Sequence, residues 1–135
     1  MAKFVSNDYK VTINGTDFSQ SIAQVNLEIS SDDVETTAFG GTFRTRIGGL
    51  KDGTLQLDFM QDFAAGSVDA VLFPLLNTLA TVVMVPTSGT VSATNPSYTA
   101  LCLVNQYTPF ASSVGDLATL SVSWPTSGTV TRGTV

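Results

Sequence analysis

Apolar and polar residues alternate with period two through most of this chain. Tyr9-Lys10-Val11-Thr12-Ile13 opens the pattern, and Asn14-Gly15 supplies the two left-handed residues of a type I′ turn, so a hairpin is predicted there. In the next segment Val25, Leu27 and Ile29 point one way while Gln24, Asn26 and Glu28 point the other, as in a half-buried strand. Leu55, Leu57 and Phe59 repeat this with Gln56 and Asp58 opposite, and Leu120, Val122 and Trp124 repeat it against Thr119, Ser121 and Ser123. Thr81–Val85 and Leu101–Val104 are apolar on both faces, which predicts central strands covered on each side.

One segment has helical period. Val68, Val71, Leu72, Leu75, Leu76 and Leu79 form a single apolar stripe, predicting a short helix over 68–79 packed on a sheet. Ser67, after Gly66, is placed to cap it, and Asp69 falls in the first turn, where the helix dipole favours an acid. Pro74 conflicts with an unbroken helix and predicts a kink or two short turns meeting there. The pattern as a whole predicts a mostly β fold, two packed sheets with one short flanking helix.

Between the strands ending near Ser30 and starting near Gly53, residues 31–52 show neither period. This stretch carries four glycines, an acidic cluster (Asp32, Asp33, Glu35) and a basic set (Arg44, Arg46, Lys51). So long a connection is expected to be functional or to form a protruding hairpin, and its mixed charge suits docking between copies. The hexapeptide Pro-Thr-Ser-Gly-Thr-Val occurs at 86–91 and again at 125–130, each time after a β-rich run. It reads either as the trace of a repeated strand–turn unit or as one turn solution used twice, with Pro setting φ and Gly supplying the bend.

Composition narrows the chemistry. The 135 residues include no His and one Cys, which excludes a Ser-His-Asp triad, a His-liganded metal site, an internal disulfide and paired-Cys zinc patterns. A formal charge of −5 argues against a protein that grips phosphate backbones. Charged residues make up 13% of the chain, against about a quarter in an ordinary soluble domain. Of the 17, 15 lie in residues 1–69, so the second half is polar mainly through Ser, Thr and amides. Interface cores are depleted in charge, so surface covered by neighbouring subunits explains this as well as a quiet free domain does.

Candidate reactive groups lead nowhere catalytic. The acidic cluster lacks the spacing of a calcium loop, and Ser67 has neither a Gly-x-Ser-x-Gly setting nor a base. Cys102 reads as a small buried hydrophobe, and Trp124, in register with Leu120 and Val122, as core rather than part of a sugar platform with Tyr98 and Tyr107. No cofactor or metal is expected. Apolar runs are too short to span a membrane, and Met-Ala-Lys-Phe-Val-Ser lacks the apolar stretch of a secretory signal, which fits a complete chain made in a cytosol.

The segments VTINGTDFSQSIAQVNLE, GLKDGTLQLDFMQDFAAGSVDAVLFPLL and PTSGTVSATNPSYTA resemble the tail tube (major tail) proteins of long-tailed bacteriophages, particularly those of actinobacteria. The resemblance is one of texture and order from about Phe4 to Arg132, without a catalytic signature. It implies one tail-tube-like domain over 1–135 with short terminal arms and a long assembly loop at about 31–52. It further implies a non-enzymatic virion protein, made in the bacterial host cytoplasm, whose hexameric rings join inner sheets into a barrel and stack into a conduit for DNA. Partners would be copies of itself and tail proteins such as the tape measure and tail terminator, with DNA only in transit. On this reading Gln24, Asn26, Glu28, Gln56 and Asp58 line the channel, and Asp32, Asp33, Glu35, Arg44, Arg46 and Lys51 belong to the ring-stacking loop. A capsid-decorating or other minor virion protein is the alternative, followed by a carbohydrate-binding module.

Overall fold

One-sided burial produces the strands. The computed structural model describes residues 3–135; Met1 and Ala2, the start of the expected N-terminal arm, lie outside the described residues. Strand β1 (Lys10–Ile13) turns through Asn14 and Gly15, both at positive φ (50° and 86°), into the short β2 (Thr16–Asp17), the predicted type I′ geometry. A 3-10 turn at Ser19–Ser21 leads into two long strands, β3 (Ile22–Glu35) and β4 (Arg46–Met60). Helix α1 (Val68–Leu75) follows, then β5 (Leu79–Val85), β6 (Ser97–Leu103), β7 (Thr119–Pro125) and β8 (Thr131–Gly133). Every pairing is antiparallel, in one sheet ordered β2-β1-β5-β6-β8 and another ordered β3-β4-β7.

The core lies between the sheets. Leu55, Leu57, Phe59, Leu120, Val122 and Trp124 face Val11, Ile13, Val82, Ala100 and Cys102, and all are buried. The sheets meet where Cys102 bridges to Thr126 and the Ser127 amide donates to the Leu101 carbonyl at 2.7 Å. Val68 and Leu72 carry the helix into the same core, and no polar side chain is buried there among the described residues.

Four expectations change. The helix ends at Leu75 rather than Leu79. Pro74 has no amide to give the preceding turn; Thr78 donates its amide (2.9 Å) and hydroxyl (2.6 Å) to the Leu75 carbonyl, and Asn77 takes a left-handed φ of 66°. Ser67 stands at the N-cap, yet its hydroxyl makes no capping bond. Strands β5 and β6 are covered on one face; on the other Leu79, Thr81 and Leu101 are exposed and Val83 and Leu103 half-buried, with Val85 alone buried at the strand end. The two Pro-Thr-Ser-Gly-Thr-Val copies are not one turn used twice. Gly128 sits at φ 96° while Gly89 has no positive φ, and Thr126 donates its hydroxyl to the Gly53 carbonyl whereas the Thr87 hydroxyl accepts from the Gly89 amide.

The segment 31–52 is a projecting hairpin. Strands β3 and β4 run on past the core, pairing Ser31 with Lys51, Asp33 with Gly48 and Glu35 with Arg46, so the irregular part shrinks to residues 36–45. A bulge between Ser31 and Asp33 marks where the arm leaves the sandwich. From Ile29 to Glu35 the arm rises about 3.3 Å per residue, or about 20 Å in all, and every residue from 28 to 52 is exposed. The chain accordingly shows 8886 Å² of surface, about 2,000 Å² more than the roughly 6,800 Å² expected of a compact monomer of its mass. An excess of that size is more than the roughly 800 Å² that one partner gives to a standard interface.

Candidate functional site

The outer face of the β3-β4-β7 sheet gathers the residues predicted to share a surface. Register places Gln24 beside Asp58, Asn26 beside Gln56 and Glu28 beside Thr54, and Asn26 Nδ2 donates to Gln56 Oε1 at 3.2 Å. On the other side of β4, Asp58 stands beside Ser121 and Gln56 beside Ser123. Thr119, Ser121 and Ser123 thus complete the face; their alternation was visible in the sequence, but their place beside Gln56 and Asp58 depends on pairing. The charges on this face up to the bulge are Glu28, Asp58 and, beside Ser30, Asp52, and no Lys or Arg stands on it there. A phosphate backbone meeting such a surface finds hydrogen-bonding groups without a cation to displace its counterions. Strand β3 forms the edge of this sheet and offers backbone donors and acceptors to a further strand.

The arm compensates its own charge. Arg46 Nε lies 3.3 Å from Asp33 Oδ2, and Arg44 Nε lies 3.5 Å from Glu35 Oε1. Asp32 and Lys51 are exposed lower on the arm. These exposed pairs hold the two strands in register and are worth about 0.2–1 kcal/mol each. Thr36 and Thr45 add a hydroxyl–hydroxyl bond at 2.8 Å beneath the tip. No group of three His, Cys, Asp or Glu side chains able to hold a metal ion occurs among the described residues.

Beside β3 an apolar groove of ≈ 390 Å³ opens between the two sheets, with Val25, Leu27 and Ile29 on one wall and Tyr9, Met84 and Tyr98 on the other. At the opposite end of the sandwich, Tyr107 donates its hydroxyl to Asp69 Oδ1 at 2.6 Å and accepts from Gln61 Nε2 at 3.2 Å. Burial first, and then the bond to Asp69, push the Tyr107 phenol above its ordinary pKa. The raised value favours the protonated, donating form, so this contribution to stability is complete below the ordinary tyrosine pKa and is lost as pH rises through the raised one. Asp17 is shifted down by hydrogen bonds from the Ser19 hydroxyl and amide, so its contribution is present above the ordinary aspartate pKa and fades as pH falls through the lowered one.

None of these groups makes a nucleophile–base pair. Trp124 is fully buried, with Nε1 donating to the Gln106 carbonyl at 3.0 Å, and so contributes nothing to an aromatic surface. Burial pushes the Cys102 thiol up to about 11. The native chain should therefore resist a thiol reagent at pH 8 and react stoichiometrically once unfolded in urea; fast labelling of folded protein would contradict this placement.

No family model matches the chain, and no curated protein matches it. Among solved structures, it is similar to a chain of the virion of a native gene transfer agent particle, with a TM-score of 0.76 at 10% identity, over 96% of this chain and 98% of that one. The two share a fold from end to end: paired antiparallel sheets with one helix, of a kind found in a virion particle.

Proposed function

We propose that this protein is a virion structural protein that assembles with copies of itself into stacked, hexameric rings, forming a phage tail tube through which DNA passes. The observation that carries the reading is the cation-free polar face of the β3-β4-β7 sheet, bordered by an open strand edge. Joined edge to edge around a ring, such sheets close a barrel, remove their own edges and turn Gln24, Asn26, Glu28, Gln56 and Asp58 toward the lumen. DNA then slides past hydroxyls, amides and carboxylates without being held. The resemblance to tail tube proteins and the shared fold with a virion chain support the same reading. Its partners would be copies of itself and tail proteins such as the tape measure and tail terminator.

The arm takes the stacking role, with Asp32, Asp33, Glu35, Arg44, Arg46 and Lys51 along it. Changing Arg44 and Arg46 to Glu sets like charges against Glu35 and Asp33 and splays the strands that present the tip. Tubes of this double variant should be shorter or absent, while the monomer loses no more than about 1–2 kcal/mol, since both pairs are exposed. Unchanged tube lengths in electron micrographs would remove the arm from stacking. The reading as a whole is tested by sedimentation of the purified chain over a rising concentration series. Fast-sedimenting, ring-containing particles are expected, and a monomer at every concentration would refute self-assembly.

A further inference from the structure

Apart from Phe4 and Tyr9 at the groove, the exposed aromatic side chains concentrate at two ends of the molecule. At the arm's tip Phe39 is 109% and Phe43 86% exposed, with the arm holding them about 20 Å from the chain's own core. Strand β4 runs from that tip to the far end of the sandwich, where Phe63 stacks on Phe110 with ring centroids 5.6 Å apart and an interplanar angle of 28°. This pair is itself 56% and 82% exposed, and Phe73 and Leu117 are exposed on the helix and loop of the same end. Charge is complementary as well. Residues 36–45 hold Arg44 and no acid, whereas 61–78 and 105–118 hold Asp62, Asp69 and Asp116 and no base. Arg44 Nε lies 3.5 Å from Glu35 Oε1, yet the side chain is 74% exposed and open to a second acid.

We propose that the arm tip of one copy docks on the helix end of a second copy, with Phe39 and Phe43 on the Phe63–Phe110 stack and Arg44 toward the acidic loops. The two surfaces differ and lie at opposite ends, so the contact is heterologous and repeats along the long axis instead of closing a dimer. The groove beside β3 is the other apolar candidate, but its lining holds no acid to meet Arg44. This inference rests on the self-assembly reading and names which surfaces meet along the axis.

Paired cysteines test it. Phe43→Cys combined with Phe110→Cys should give a ladder of disulfide-linked dimers, trimers and longer chains on mild oxidation, while the buried native Cys102 stays silent. Phe43→Cys combined with Phe4→Cys, at the groove, should give none. A ladder from the groove pair alone, or from neither pair although particles form, would overturn this docking and leave the tube reading standing. Absence of particles from the unmodified chain would overturn both. Phe39→Ser with Phe43→Ser, both on exposed positions, should leave a folded monomer and raise the assembly threshold at least about tenfold, the loss typical of an interface aromatic. An unchanged threshold would count against the proposal.

Discussion

Replacing Trp124 with alanine should lower the unfolding free energy by about 3–5 kcal/mol, the usual cost of emptying a fully buried aromatic site. Trp124 lies opposite Leu55 on β4, is 0% exposed, and is the largest buried side chain. Its loss opens a cavity next to the corner where the two sheets meet, and leaves the Gln106 carbonyl without its indole donor. For a domain whose total stability is about 5–15 kcal/mol, that is a fifth or more. Urea denaturation of the monomeric chain measures it, and Trp124→Phe, which keeps most of the volume, should lose distinctly less. A drop below about 1 kcal/mol for the alanine variant would show that the core is not organised around this residue.

The second large effect concerns passage rather than stability. Changing Glu28 and Asp58 to lysine adds two cations per subunit to the polar face while leaving its alternation and the core residues behind it untouched. Assembled particles of this variant should retain short duplex DNA at low salt. Affinity should fall about 10³–10⁵-fold between 50 and 200 mM salt if six to ten phosphates are engaged. Wild-type particles and a Glu28→Gln, Asp58→Asn control should retain none, because a neutral face releases no counterions. DNA delivery by virions carrying the lysine variant should fall with the same salt dependence. Lysine particles that bind DNA no better than wild type would mean the face does not look into the channel.

Much of this architecture was legible because burial is one-sided. Where a strand has the core on one face and water on the other, alternation reports it directly, as at Leu55–Phe59 and Leu120–Trp124; at Val25 and Leu27 the inward face is half-buried, and Ile29, expected with them, is exposed where the arm begins. The Asn14-Gly15 turn was equally plain, since two consecutive positive φ values suit few residue pairs. The arm was hidden for the complementary reason. Beyond Glu28 and Gly53 neither face is buried, so Ser31–Glu35 and Arg46–Lys51 carry no period, and strand geometry is kept by the backbone ladder and the Asp33–Arg46 and Glu35–Arg44 pairs.

Other differences also have local causes. Leu76 and Leu79 continue the helical spacing, but Pro74 and the left-handed Asn77 end the helix before them. Leu101 reads as buried because apolar residues face both ways in Leu101–Val104, yet it is exposed in the isolated chain. At the candidate site, alternation identified each strand's polar side, while their assembly into one surface depended on register. A bulge between Ile22 and Gln24 helps set that register, and no sequence period reveals it. The Gln61–Tyr107–Asp69 network joins positions 38 and 46 residues apart, beyond the reach of local pattern.

Electron cryo-microscopy of particles formed by the purified chain alone distinguishes a lumen-facing polar sheet from an outward-facing one. A hollow tube of stacked rings is expected, with Gln24, Asn26, Glu28, Gln56 and Asp58 on the lumen wall and the β3 edge hydrogen-bonded to the neighbouring subunit. A tube with that face on its outer surface, or a chain that stays monomeric, would contradict this expectation.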